Sequence, residues 1–260
     1  MPTFLFDSIV FGPVRSRRLG VSLGINLLPT DRKVCNFNCI YCECGWTLHG
    51  NSTASQLPSR LEVFNALRSR LSDMKNKGER PDVITFAGNG EPTMHPEFAG
   101  IINDTISIRD EFFPEAKISV LSNGSLVHKK DIREALMKVE MNILKLDSVF
   151  PETVKMLNQT SDAYDLDRVM ENMKLFNGKF IIQTIYVRGE YKGVVVDNST
   201  SQEVEPWLKK VKELKPESVM IYTIERDTPL GNKLHKVPVS VLKSIAARVE
   251  SLGIPASVSG

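Results

Sequence analysis

KVCNFNCIYCECGW, residues 33 to 46, carries every cysteine of the chain: Cys35, Cys39, Cys42 and Cys44. Disulfides inside so short a turn would close no useful loop, and 260 residues are enough to bury a large core without them. The composition, 42% apolar and 25% charged, is that of an ordinary globular protein. The opening run MPTFLFDSIVFGPV lacks a basic start, contains Asp7 and meets Arg15, Arg17 and Arg18 only afterwards, so it does not read as a signal peptide. No window approaches the ~18 consecutive apolar residues of a membrane span. The expectation is a cytoplasmic protein without membrane contact, and there clustered thiols mean metal or redox chemistry.

A closed zinc site generally takes two separated ligand pairs, and no second pair exists here. His49, His95, His128 and His235 form no Cys/His zinc pattern, and Cys44 follows Cys42 too closely to join the other thiolates around one ion. The spacing Cys35-x3-Cys39-x2-Cys42 fits a different use. Three thiolates from one loop reach three corners of a [4Fe-4S] cube, leaving the fourth iron without a protein ligand.

At CNFNCIYC the chain resembles the cluster motif of the radical S-adenosylmethionine (SAM) superfamily, including the aromatic Tyr41 before the third cysteine. The resemblance implies a [4Fe-4S] cluster on Cys35, Cys39 and Cys42, with SAM chelating the open iron through its amino and carboxylate groups. It also implies an external one-electron reductant of flavodoxin or ferredoxin type. Reductive cleavage of SAM would then give a 5'-deoxyadenosyl radical that takes hydrogen from an unactivated C–H bond. Tyr41 is expected either beside the adenine, as the resemblance implies, or as a core tyrosine backing the loop.

The rest of the sequence reads as alternating strands and helices. VSLGINLL (21 to 28) leads into the cysteine loop, and Ser59-Arg60-Leu61-Glu62 is a capping box opening a helix with Leu61, Phe64, Leu67, Leu71 and Met74 on one face. DVITFAG (82 to 88), KISVLSNG (117 to 124), NILKLDS (142 to 148), KFIIQTIYV (179 to 187) and SVMIYTI (218 to 224) are further strands, each followed by a helical stretch. A seventh short strand fits ASVSG. This alternation predicts a parallel sheet covered by helices. With the cysteine loop after the first strand, it predicts the partial (β/α)6 barrel of the radical SAM type. In NILKLDS the period of two sends Leu144 and Leu146 to the helices and Lys145 and Asp147 to the lumen. With no internal repeat or linker, residues 1–260 read as a single domain, with 1–20 as a basic segment packed on the barrel and 188–202 as a loop insertion that is either a cover over the barrel or plain surface.

FAGNGEPTMHP, residues 86 to 96, resembles the Gly-Gly-Glu motif of the same superfamily in a G-x-G-E-P form. The resemblance implies that Gly88, Asn89, Gly90 and Glu91 lie at the SAM ammonium, where glycine lets backbone carbonyls approach closely. Asn123 and Asp147 hold comparable places after the third and fourth strands, at the rim where parallel barrels bind ligands. They are expected either to contact SAM, as the resemblance implies, or to serve as a turn asparagine and a lumen salt-bridge partner of Lys145.

FGPVRSRRLGVSLGINLLP is similar to the opening of the radical SAM group that includes the wyosine-type tRNA base synthases. Those synthases carry a second cluster on additional cysteines, which this chain lacks, so the resemblance is to single-cluster relatives. Arg15, Arg17, Arg18, Arg32 and Lys33 form a local basic patch suited to RNA phosphates or the SAM carboxylate, or simply to solvent. The net charge of +2 does not decide. The expected function is radical modification of an RNA base or small metabolite. The alternatives are action on a protein substrate, as by a glycyl-radical activase, and a metal-stabilised binding module without enzymatic activity.

Overall fold

The computed structural model describes residues 4–16, 20–47 and 56–260. One sheet of eight strands organises the chain, in the order β1-β2-β3-β4-β5-β6-β9-β11. Its strands are β1 (Val10–Ser16), β2 (Gly20–Ile25), β3 (Val83–Phe86), β4 (Lys117–Ser122), β5 (Met141–Lys145), β6 (Ile181–Ile185), β9 (Ser218–Tyr222) and β11 (Ala256–Ser259). From β2 to β11 every neighbouring pair is parallel, and only β1 runs antiparallel. The strands curl into an open barrel whose end strands, β1 and β11, do not pair with each other. The C-terminal ASVSG does add the further parallel strand. The N-terminal segment departs from expectation, because residues 10–16 form an edge strand of the sheet itself.

The helices α1 (Arg60–Asn76), α2 (Phe98–Phe112), α3 (Lys130–Leu136), α4 (Pro151–Asn158), α5 (Leu166–Lys174), α6 (Ser201–Leu214) and α7 (Val239–Glu250) follow successive strands. Period-two alternation sorts each strand between two environments. Leu23, Ile25, Ile84, Phe86, Ile118, Val120, Leu144 and Leu146 pack in the main core with helix residues such as Leu67, Leu71 and Ile102. On the opposite face Ile143, Ile181 and Met220 form a small apolar floor in the lumen, and Ser22 and Thr85 share a 2.8 Å hydroxyl hydrogen bond.

The capping box of α1 is present, with Ser59 and Glu62 each bonded to the other's backbone N–H. Its buried stripe, however, is Val63, Leu67, Leu71 and Met74, while Leu61 is 67% exposed. At ~100° per residue Leu61 points about 120° away from the centre of that stripe. The stretch after β6 is also more ordered than a loop. β7 (Val187–Tyr191) and β8 (Val194–Asp197) form a hairpin, and β10 (Leu234–Lys236) completes a second, three-stranded sheet. Among the described residues no helix is long and apolar enough to cross a membrane.

Candidate cluster and cofactor site

The cysteine loop leaves β2 and is held from three sides. Val34 makes an isolated parallel bridge with Gly90, donating to Asn89 O at 2.8 Å and accepting from Glu91 N at 3.1 Å. This approach requires glycine: a Cβ on Gly90, whose φ is +142°, would stand 1.8 Å from Val34 O. From the second side, Asn38 N and Ile40 N donate to the terminal carbonyls of α4, Asn158 O and Leu157 O, each at 2.9 Å. The loop thereby takes up acceptors that a helix end leaves unpaired. From the third side Phe37 and Ile40 pack with Leu157, Ile185, Val187, Val196 and Leu234, so the β7–β8 hairpin backs the loop.

All four cysteines are free thiols and line one chamber of about 150 Å³, with Lys33, Gly88, Gly90, Glu91, Asn123 and Lys145. A second cavity of about 260 Å³ adjoins it, sharing Tyr41, Cys42, Leu121 and Gln183, and extends past Tyr222, Ile224, Arg226 and Ser259. Each of the three motif sulfurs is met by a donor. Phe37 N lies 3.4 Å from Cys35 Sγ, Asn158 Nδ2 lies 3.4 Å from Cys39 Sγ, and Cys42 receives bonds from Cys44 and Lys33.

Burial, with Cys39 and Glu91 nearby, pushes the Cys35 thiol up to about 12, and burial likewise raises Cys39. The hydrogen bond from Cys44 holds Cys42 down at about 5 and, from the other end, raises Cys44 itself. These thiols fit an iron–sulfur cluster, since cluster ligation supplies the positive charge that thiolates in so buried a site need. A single ion fits less well: among the described residues no three Cys, His, Asp or Glu side chains converge as ligands of one metal.

The rim residues of the sequence reading divide into two groups. Gly88, Gly90, Glu91 and Asn123 line the chamber. Glu91 is already occupied, accepting from Asn123 N at 2.6 Å, Ser122 Oγ at 2.8 Å and Thr93 N at 3.1 Å. Burial raises its pKa and these bonds oppose the rise. Asn123 passes its amide to Asn36 Oδ1 at 2.8 Å, steadying the loop beside Cys35.

Asn89 and Asp147 line neither cavity, and of the two expectations for Asp147 the structure shows the salt bridge to Lys145. The Asn89 side chain is fully buried and bonded to Phe6 N at 2.8 Å, Phe6 O at 2.9 Å and Pro29 O at 2.8 Å, strapping the N-terminal segment to the loop. Asp147, 3% exposed, accepts from Ile185 N at 3.1 Å, Asn158 Nδ2 at 3.0 Å and the Tyr41 hydroxyl, and pairs with Lys145 at 3.5 Å. A buried carboxylate takes every donor it can reach, and here those are internal. Lys145 does face the chamber, donating to Tyr41 Oη at 3.0 Å. Burial opposes its charge, but Asp147, Tyr222 and the thiols together outweigh it and raise its pKa. Tyr41 belongs to the loop's apolar cluster, as the core expectation has it, and also walls both cavities.

The basic patch does not hold together as one surface. Lys33 is 4% exposed and donates to Gly45 O at 3.0 Å, Arg15 is exposed on β1, and Arg17 and Arg18 lie outside the described residues. Lys33, named in the sequence only as part of that patch, lines the thiol chamber, whereas sequence reasoning missed Asn158 and Asn198. Asn198 ties Asp147 O at 3.0 Å and Ile185 O at 2.8 Å to the strand after the barrel wall.

The family model of the Radical SAM superfamily matches residues 33–197. Among curated proteins, the chain is 30% identical over 223 residues to GTPase Obg of Brachyspira hyodysenteriae, covering 84% of this chain but 30% of that one. It is 29% identical over 249 residues to a UPF0026 protein of Methanocaldococcus jannaschii, covering 92% and 70%. Among solved structures, Streptococcus suis SuiB bound to S-adenosylmethionine has a TM-score of 0.64 at 16% identity, covering 91% of this chain and 50% of that one. TYW1 with a lysine-pyruvate adduct bound has a TM-score of 0.60 at 14% identity, covering 88% and 73%. At these identities the two structures share the fold with this chain.

Proposed function

The chain belongs to the radical SAM superfamily, whose enzymes use a [4Fe-4S] cluster and SAM, and from that premise we propose that its target is an RNA base or a small metabolite. Cys35, Cys39 and Cys42 would hold the cluster, and Gly88, Gly90 and Asn123, which line the same chamber, would hold SAM. Tyr41 and Gln183, shared by the two cavities, would flank its adenosine. When bound, the cluster would pass one electron from an external reductant to SAM, whose cleavage to methionine would supply a 5'-deoxyadenosyl radical able to remove hydrogen from the target.

The chain's own residues bind, orient and exclude water. Lys33 and Lys145 place two cations in the thiol chamber, which offsets the negative charge of the thiolates and of a carboxylate brought in beside them. Leu121, Ile185 and Ile224 make the wall of the second cavity partly apolar. The observation that carries the reading is that a chamber lined by the three motif cysteines shares Tyr41, Cys42, Leu121 and Gln183 with a neighbouring cavity of about 260 Å³. So confined an approach suits a small molecule or an extruded base better than a folded surface.

The test is anaerobic reconstitution to about four iron and four sulfide per chain, followed by reduction in the presence of SAM. The protein alone should yield methionine and 5'-deoxyadenosine slowly. Deuterated cell-extract fractions should then transfer label into 5'-deoxyadenosine from the RNA or small-molecule pool. Label arriving only from the protein fraction would replace this target class with a protein substrate.

A further inference from the structure

We propose that Asn158 sets the reduction potential of the cluster through a hydrogen bond to Cys39, an inference that rests on the cluster assignment above. Asn158, the last residue of α4, is 1% exposed. Its Nδ2 stands 3.4 Å from Cys39 Sγ, 2.7 Å from Tyr41 Oη and 3.0 Å from Asp147 Oδ2. The orientation of the amide is determined by its partners. Asp147 as a carboxylate only accepts, so the NH2 group rather than the carbonyl must face it. One hydrogen serves the Tyr41–Asp147 pair and leaves the other for the sulfur.

The residue is also pinned to the loop it serves, since its backbone carbonyl accepts from Asn38 N at 2.9 Å. Cys39 is the one buried thiol of the motif, so its sulfur has little access to competing water. A hydrogen bond to a ligand sulfur favours the more negative, reduced cluster and raises its potential, and low local dielectric strengthens the effect. The other side-chain amide near the motif is weaker in this respect. Asn123 Nδ2 lies 3.7 Å from Cys35 Sγ but only 2.8 Å from Asn36 Oδ1, so oxygen takes its hydrogen.

Asn158→Leu and Asn158→Met both remove the N–H while filling similar space. Wild type and variants, reconstituted without SAM, would be titrated anaerobically with the reduced cluster followed by electron paramagnetic resonance. Both variants should hold about four iron per chain. At the ambient potential that half-reduces the wild type, their ratio of reduced to oxidised cluster should fall about tenfold, which for one electron is ~59 mV in the negative direction. Wild-type midpoints in cluster-loaded variants would overturn the proposal. Loss of the cluster from both variants would overturn it too, by making Asn158 a folding residue. A wild-type chain that assembles no cluster would sink the proposed function itself, and the iron and sulfide content separates that failure from this one.

Discussion

One hydrogen bond divides Cys42 from Cys44. The Cys44 S–H stabilises the Cys42 thiolate, and Cys42 is held at about 5 against an ordinary 9.0 while burial takes Cys35 to about 12. In cluster-free protein at pH 6.5, iodoacetamide should therefore label Cys42 ahead of Cys35, as read by peptide mass mapping, because thiolate and not thiol is the nucleophile. Cys44→Ala should weaken the preference, which Lys33 beside Cys42 and the burial of Cys35 still favour, while leaving cluster assembly intact. A depressed pKa also has a stability consequence. The Cys42 contribution in the cluster-free protein is full above the unfolded thiol's pKa of about 9 and is lost as pH falls through about 5.

Asp147 calls for a different expectation from a ligand-contacting carboxylate. Asp147→Ala would strand the buried Lys145 ammonium and leave Tyr41, Asn158 and Ile185 N without their acceptor, costing about 3–5 kcal/mol in a urea melt. If stability were unchanged and only SAM affinity fell, Asp147 would be a cofactor contact after all. The period of two put Asp147 beside Lys145 in advance, and they do pair, but the sequence announced only the chemical types of Asn89 and Glu91 and not their direction. A G-x-G-E turn brings the backbone to the chamber whichever way its asparagine faces, and the partners of Asn89, at Phe6 and Pro29, are far away in the chain.

At the scale of elements, the approach of Val34 to Gly90 joins the cysteine loop to the turn after β3. Gly90→Ala would force its methyl into Val34 O, 1.8 Å from the ideal position, and should sharply lower iron content after reconstitution. Retention of full iron would mean that the loop can shift without losing its thiol geometry. A stabilising change is available at the end of α6, where Lys215 occupies the left-handed region at φ 49° and ψ 55°. Lys215→Gly relieves that conformation at the cost of a more flexible unfolded chain, for a net gain of about 0.5–1 kcal/mol and a rise in Tm of about 1–4 °C. Calorimetry would measure it, and a fall in Tm would show that the lysine side chain matters more than its backbone.

The parallel strands were legible because each carries a period-two apolar row and is followed by a helical stretch. The β7–β8 hairpin was not. Its turn places Lys192 at φ 52° before Gly193 at φ 79°, whereas asparagine or aspartate before glycine is the usual signal. The exposed Val195, at 81%, further obscures its alternation.

Over the whole molecule, the sheet remains open between β1 and β11, and the second cavity lies on the β11 side of the cysteine chamber. Ser259 of β11 contributes to that cavity but not to the chamber. Ser259→Trp should therefore leave iron content near the wild-type value while slowing SAM cleavage at limiting SAM about tenfold, equivalent to ~1.4 kcal/mol. Unimpaired cleavage would remove the second cavity from the path of the cofactor. The barrel was readable from the order of its strands. The division of its interior into two connected spaces was not, because Tyr41, Gln183 and Tyr222 meet only once the sheet has curled.

Iron–sulfur clusters with an open iron are vulnerable to oxygen. In this chain the cysteine loop is fastened by main-chain bonds to α4, by its bridge to Gly90 and by the strap that Asn89 holds, none of which involves a metal. Oxidative loss of the inorganic core therefore need not unravel the polypeptide around it. The emptied loop would keep its three thiols close to their places, so a lost cluster would be rebuilt onto a frame that is already folded.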